Sequence, residues 1–176
     1  MIKEAIKKLV AGNDLTFDEA AQVMDEMFSG TATQSQMAAY LTALRIKGET
    51  IDEITASAQV MREKALHIKP NRDVLDIVGT GGDGTGTFNI STTAAFIIAA
   101  AGIPVAKHGN RSMSSKSGSA DCLEQLGINI NITPEKSEEV LNKAGICFMF
   151  AQGYHSSMKY VGPVRKEIGI RNIFNV

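Results

Sequence analysis

The chain has little that would tie it to a membrane, a nucleic acid or an oxidising compartment. No apolar run among its 176 residues approaches the ~18 residues of a membrane span. Charge is nearly balanced: the formal net charge of −1 leaves no basic surface for nonspecific binding to nucleic acid or lipid. The two cysteines, Cys122 and Cys147, each sit among apolar residues, so buried free thiols are expected rather than a disulfide. The three histidines do not cluster with them, which argues against a zinc site. The N-terminal stretch MIKEAIKKLV alternates in charge and lacks the apolar core of a signal peptide. These absences point to a cytoplasmic, reducing setting. Hydrophobic content of 44% and charged content of 21% suit an ordinary globular chain of one domain or two small lobes.

What is present begins with helix signals. Ile2, Ala5, Ile6, Leu9 and Val10 share one helical face, ended by Gly12. Thr16 with Glu19, Thr33 with Gln36, and Thr50 with Glu53 have capping-box spacing, in series at helix-length intervals. Met24, Met27 and Phe28 follow the first box; Met37, Tyr40, Leu41 and Leu44 follow the second; Ile54, Ala58 and Met61 are the apolar face expected after the third. Gly30 and Gly48 are expected stops. Residues 1–70 therefore read as a small all-helical lobe. The sequence His67-Ile68-Lys69-Pro70 marks its boundary, because a residue before proline avoids helix.

Strand and helix patterns alternate thereafter. Val74 to Val78 reads as a strand buried on both faces, followed by a helix from Ser91 to Ala101 and a short strand from Pro104 to Lys107. Helices are expected from Ser119 to Leu126 and from Thr133-Pro134 to Gly145, then a strand from Ile146 to Phe150 and a helix from Ser157 to Ile168. The fold class is α/β: a helical lobe hinged to a parallel-sheet lobe that is here incomplete, with about three strands where a sheet usually has ~5–6. Residues 71–176 form this second lobe, and segment 157–170 is a candidate to pack on the helical lobe instead. Such sheets bind ligands beyond the carboxyl ends of their strands.

Between the first strand and its helix lies Asp76 to Asn89, DIVGTGGDGTGTFN, with glycines at 79, 81, 82, 84 and 86. Glycine lets backbone N–H groups approach a ligand closely, and a helix N-terminus adds unpaired donors and a positive dipole end. A phosphate cradle is expected. Gly79-x-Gly81-x-x-Gly84 has the dinucleotide spacing, but the helix starts too late and no acidic residue follows at the right distance. No lysine occurs between Val74 and Ala106, which excludes a P-loop. The amides of Gly79 to Asp83 suit a pyrophosphate, with Asp83 facing sugar hydroxyls or a metal-bound water. Ser91 reads as the cap of the next helix, as part of a second anion site with Thr92 and Thr93, or as both; its hydroxyl could also ligate Mg²⁺. The loop from Lys107 to Ser119 carries three cations, a histidine, an amide and five hydroxyls, a composition suited to a polyanion. Tyr154, His155 and Arg165 follow the last strand; a guanidinium such as Arg165 suits a substrate carboxylate, a solvated charge being the plain alternative.

Taken together, GTGGD at 79–83, Asn89-Ile90-Ser91-Thr92, KHGNR at 107–111, SSKSGSAD at 114–121 and VRKEIGIRNIFNV at 164–176 resemble the anthranilate phosphoribosyltransferase family over essentially the whole chain. The resemblance implies a nucleoside phosphorylase/phosphoribosyltransferase type of fold. It implies transfer of a phosphoribosyl group from phosphoribosyl pyrophosphate to the amine of anthranilate in tryptophan biosynthesis, with Mg²⁺, and a homodimer formed through the helical lobe. It implies that Gly79, Gly82, Asp83, Thr87, Asn89, Ile90, Ser91, Thr92, Lys107, His108, Gly109, Asn110, Arg111, Ser112, Met113, Ser114, Ser115 and Ser119 contact phosphoribosyl pyrophosphate. Ser91 resembles a Mg²⁺ ligand, and Gly79, Asn110 and Arg165 resemble anthranilate contacts. No residue is expected to act as general acid or base, because the aryl amine is already a neutral nucleophile at neutral pH.

The chain departs from the family pattern at Ser156-Ser157, where Pro-Ala is common, and at Asn172, where Thr is common. The resemblance also implies an Asp-Glu metal pair beyond Val176, so these 176 residues alone are expected to be inactive. Two other readings stay open from sequence: a pyrimidine-nucleoside phosphorylase relative, or a non-catalytic module for dimerisation or binding.

Overall fold

Three threonines start three helices by the same local chemistry. The computed structural model describes residues 1–79, 88–111 and 118–175. After α1 (Ile2–Val10), helices α2 (Phe17–Phe28), α3 (Gln34–Lys47) and α4 (Ile51–Lys64) each begin with a complete capping box. In each, a threonine hydroxyl accepts the N–H three residues on, and the Glu or Gln there accepts the threonine N–H in return. Each box satisfies two donors that the helix cannot, worth about 1 kcal/mol. Gly30 and Gly48 follow α2 and α3 with φ of 77° and 88°, a region open to glycine.

The buried faces of these helices make one core, built on Val23, Met24, Met27, Tyr40, Leu41 and Leu44. Two expectations are corrected within it. Val10 is 74% exposed, not on the buried face of α1. On α4 the buried residues are Glu53, Ala56, Ser57 and Val60; of the expected face, Ile54 and Met61 are half-buried and pack against this core, while Ala58 is exposed. Glu53 turns inward to polar partners that periodicity alone does not reveal. Helix α9 (Met158–Ile168) and a 3₁₀ turn (Ile173–Asn175) join this core through Val161, Val164 and Ile173. The first compact unit is accordingly Met1–Ala65 with His155–Val176, and the second is Leu66–Tyr154.

The second unit contains α5 (Ile90–Ala100), β1 (Val105–Gly109), α6 (Ser119–Gln125), α7 (Pro134–Ala144), β2 (Ile146–Phe150) and the single-turn α8 (Ala151–Tyr154). β1 and β2 pair in parallel, with Val105 opposite Ile146 and Gly109 opposite Phe150. The helices between parallel strands are the α/β crossover that the alternation predicts. The strand expected at Val74–Val78 is corrected to a single parallel bridge, Leu75 to Val105. Nor is it buried on both faces: Leu75 is 40% and Val78 56% exposed. An apolar composition supplies the capacity for burial, but among the described residues β1 is the only strand bridged to this segment, although Val74 packs against the cluster that includes Leu141 and Cys147. Both thiols are free, and Cys147 is buried. No helix among the described residues is long and apolar enough to cross a membrane.

Candidate functional site

The start of α5 differs from the starts of α2, α3, α4 and α7. Thr16, Thr33, Thr50 and Thr133 each cap a helix with a side-chain hydrogen bond, whereas Asn89, at the N-cap of α5, makes none. This corrects the expectation that Ser91 is the cap: Ser91 lies inside the first turn. The Asn89 amide instead donates to the Gly118 carbonyl at 3.4 Å. The hydroxyl of Thr92, a residue 4% exposed, has no hydrogen-bond partner among the described residues. A helix N-terminus without a side-chain cap presents donors and a positive dipole end.

Lys107, near the middle of β1, reaches this turn. Its ammonium donates to the Ile77 carbonyl at 2.6 Å and to the Ser91 hydroxyl at 3.2 Å. The residue is only 3% exposed, and no carboxylate among the described residues lies within ion-pair distance. Burial lowers its pKa, with Asp76 opposing the shift. The next residue, His108, donates its backbone N–H to Asp76 Oδ1 at 3.0 Å. Burial lowers the imidazole pKa as well, Asp76 opposing and Lys107 assisting, so the ring is neutral at pH 7. Burial first and Asp76 second push the Cys147 thiol up to about 11, which makes it inert as a nucleophile. Asp76 thus ties its segment to β1 through the His108 N–H. Sequence reasoning gave it no role, although a lone carboxylate in an apolar run was the available signal.

Gly109 has a packing reason to be glycine. A Cβ there would lie 2.5 Å from Ser119 Oγ and 2.7 Å from Phe148 Cε2. Gly109→Ala is expected to cost about 1–3 kcal/mol as these groups shift. An unchanged urea midpoint would show that the contact yields freely. Asn110 is exposed at the strand end, where its carbonyl accepts from the Ser119 hydroxyl and the Ala120 N–H, both at 3.3 Å. Arg111 is committed to α6. Its guanidinium donates to Asp121 at 3.1 Å and Glu124 at 2.9 Å, and it lies 5.5 Å over the Phe150 ring.

In the helical unit, Arg165 sits on α9 in the opposite circumstance. Among the described residues it forms no ion pair, its Nε is buried without a hydrogen-bond partner, and burial lowers its pKa. Its guanidinium lies against the Phe174 ring, with Cζ 5.0 Å from the centroid. Tyr154 is a core residue of the α/β unit whose hydroxyl donates to Ser137 Oγ at 2.8 Å. Gly79 ends the described part of its segment, and a Cβ there would meet open space. Gly82, Asp83, Thr87, Ser112, Met113, Ser114 and Ser115 lie outside the described residues.

The structure therefore brings together Ile77, Ser91, Thr92 and Lys107 at a helix N-terminus without a side-chain cap, beside parallel strands. An arrangement of buried cation and helix-end donors suits a phosphate or pyrophosphate. Mg²⁺ fits these residues less well. It takes octahedral oxygen ligands and is usually held by carboxylates together with substrate phosphates. Ser91 supplies one hydroxyl, already accepting from an ammonium, and no group of three His, Cys, Asp or Glu residues is gathered among the described residues. They do not form a Mg²⁺ site of their own.

The helical unit and the α/β unit match two domains of one family. Residues 3–65 match the glycosyl transferase family helical bundle domain, and residues 71–176 match its a/b domain, so the chain belongs to the glycosyl transferase family. Within it, the sequence is 62% identical over 176 residues to the anthranilate phosphoribosyltransferase of Endomicrobium trichonymphae, covering all of this chain and 52% of that protein. The enzyme of the same name from Ruminiclostridium cellulolyticum is 60% identical over the same lengths. The anthranilate phosphoribosyltransferase structure from Thermus thermophilus superposes with a TM-score of 0.89 at 46% identity, covering 97% of this chain and 52% of that one. The Saccharomyces cerevisiae enzyme in complex with PRPP and Mg gives 0.88 at 28% identity, covering 99% and 53%. The chain spans about half the length of the curated relatives it matches.

Proposed function

We propose that this protein takes part in transfer of the phosphoribosyl group of phosphoribosyl pyrophosphate to the amine of anthranilate, a step of tryptophan biosynthesis. The observation that carries the reading is the buried Lys107 ammonium, without a carboxylate partner among the described residues, at the first turn of α5, which has no side-chain cap. The bond between the ribose anomeric carbon and pyrophosphate breaks, its electron pair leaving with pyrophosphate. The nitrogen lone pair of anthranilate forms the new C–N bond, and the amine proton passes to solvent or product phosphate. Negative charge develops on the leaving group, so donors fixed at that point act chiefly in the transition state. Lys107 and the N–H groups of Ser91 and Thr92 are the described donors for it. The backbone of Gly79 and the carbonyl end of β1 at Asn110 are assigned to substrate contacts on the family resemblance. Mg²⁺, when present, would be carried with the pyrophosphate; the steps above use protein groups alone.

Arg165 is assigned to the anthranilate carboxylate, because it is a half-buried cation whose Nε has no hydrogen-bond partner, and which forms no ion pair, among the described residues. Arg165→Ala is expected to weaken anthranilate binding by about tenfold to a hundredfold, the worth of a charged hydrogen bond, and to leave phosphoribosyl pyrophosphate binding within about twofold. Equal effects on both would reject the assignment. Turnover is followed as loss of anthranilate fluorescence on adding phosphoribosyl pyrophosphate and Mg²⁺. The expected result is negligible turnover by these 176 residues alone, which span 52% of the relative, and turnover once the relative's remaining length is supplied. Phosphorolysis of thymidine at a comparable rate would favour a nucleoside phosphorylase instead.

A homodimer through the helical lobe is part of this reading. Support comes from the apolar side chains that lobe leaves in water: Val10 at 74%, Ile46 at 82% and Ile51 at 82% exposure. The two free thiols accord with a reducing, cytoplasmic setting.

A further inference from the structure

The end of α9 and the turn after it form a device that the proposed function does not use. Asn172 is 1% exposed, and both ends of its side-chain amide are engaged. Its Nδ2 donates to the Ile170 carbonyl at 3.1 Å, while its Oδ1 accepts the Phe174 N–H at 3.2 Å. Asn175 closes the same turn, donating its N–H to the Asn172 carbonyl at 2.8 Å. This directs Phe174 back towards the helical core, where its ring meets Phe28 at 6.0 Å between centroids. On Phe174 rests the Arg165 guanidinium, 5.0 Å from the ring centroid.

A guanidinium over an aromatic face is attracted by the ring quadrupole and needs no hydrogen bond to be held there. An ion pair would have consumed the N–H edge that a planar carboxylate needs; Arg111, spent on Asp121 and Glu124, is the contrast within this chain. Arg165 is fixed through its face and keeps its edge uncommitted.

We propose that Phe174 is a positioning residue for Arg165, and that the buried Asn172 side chain latches the turn holding Phe174 in place, so that the guanidinium is preset for an aromatic carboxylate. The function of this device rests on the assignment of Arg165 to anthranilate. The device also accounts for Asn172 as a residue suited by its two-ended amide: it bonds a carbonyl behind it and an N–H ahead of it.

The test uses the whole chain with Phe174→Leu, Phe174→Tyr and Arg165→Ala, each first checked by circular dichroism for an unchanged helix signal. The chain has no tryptophan, so the Arg165→Ala and wild-type titrations read anthranilate fluorescence without indole background. Phe174→Leu keeps apolar bulk against Phe28 and removes only the ring. It is expected to weaken anthranilate binding about tenfold, with Phe174→Tyr restoring it to within about twofold of wild type, since tyrosine keeps the face. In the Arg165→Ala background, Phe174→Leu should do nothing further. A loss of the same size in that background would overturn the proposal, because it would make Phe174 a structural residue only.

A second readout needs no anthranilate. The Arg165 Nε–H proton resonance should lie upfield in wild type and Phe174→Tyr, from the ring current, and move downfield in Phe174→Leu. An unmoved resonance rejects the platform itself. A moved resonance together with unaltered anthranilate affinity in Arg165→Ala rejects the carboxylate assignment, and with it the positioning role, while leaving the stacking real.

Discussion

Replacing Glu53 by alanine is expected to destabilise the helical unit by about 2–4 kcal/mol, the cost of leaving two buried backbone donors without an acceptor. Glu53 is fully buried at the start of α4. Its carboxylate accepts the Leu15 N–H at 2.9 Å, the Thr50 N–H at 2.8 Å and the Lys47 ammonium at 3.0 Å. It therefore closes a capping box, ties the loop before α2 to α4, and neutralises a lysine whose side chain is itself only 6% exposed. Alanine leaves the Leu15 and Thr50 N–H groups without their acceptor, while Lys47 keeps Asp14 at 2.7 Å and the Gly48 carbonyl at 2.8 Å; the nearby Tyr40 hydroxyl, already without a partner among the described residues, offers no substitute. Urea unfolding followed on the helix signal measures the loss; less than about 1 kcal/mol would mean that water enters and repairs the site.

The same group sets a pH dependence with a definite sign. Burial by itself would raise the Glu53 pKa, but the two backbone N–H bonds and Lys47 outweigh it, so the folded value lies below the usual 4.5. A depressed carboxyl pKa contributes stability that is present above the unfolded value and lost as pH falls through the folded one. The gap between wild type and Glu53→Ala should hold at neutral pH and close as pH drops below 4.5.

Lys107→Met is expected to lower phosphoribosyl pyrophosphate binding and turnover by roughly a hundredfold to a thousandfold, the effect of removing one preorganised donor to a developing anion, while leaving stability within about 1 kcal/mol. The two effects separate because Lys107 is buried and, among the described residues, has no carboxylate partner. Its desolvation disfavours the folded state, and the bonds to Ile77 and Ser91 offset part of that cost. Methionine matches the length and removes the charge, with one carbonyl left unsatisfied. Because burial lowers the folded pKa below 10.5, the native state binds fewer protons than the unfolded chain in the window up to 10.5. The Lys107 contribution therefore grows less unfavourable as pH rises through that window, and wild type should gain on Lys107→Met there. A large stability loss with unchanged pyrophosphate affinity would make Lys107 a structural lysine and remove the main support for the proposed function.

Much of the fold was legible in the sequence. The capping boxes at Thr16, Thr33 and Thr50, the stops at Gly30, Gly48 and Gly145, and the strand at Ile146–Phe150 stand where the spacing put them. The described part of the candidate site was legible in composition, through the cationic strand end at Lys107 and the hydroxyl-rich start of α5. It was not legible in roles. Nothing in KHGNR separates Lys107, which turns inward without an ion-pair partner among the described residues, from Arg111, which is neutralised by α6. Only the positions of Asp121 and Glu124 in space decide that.

What this sequence determined by itself is whatever closes within one helical turn: where the threonine-capped helices start, where the glycine-stopped ones end, and which segments can be strands. Those signals are hydrogen bonds and backbone conformations between residues three or four apart, so the partners are adjacent in the chain. The tertiary structure alone decided that Glu53, read as a cap, is also the charged centre of a core; that Val74–Val78 makes one bridge and stays partly in water; and that α9 and its following turn pack against the N-terminal helices. Burial and charge pairing depend on groups distant in the chain, and their energies are set by the water those groups exclude together.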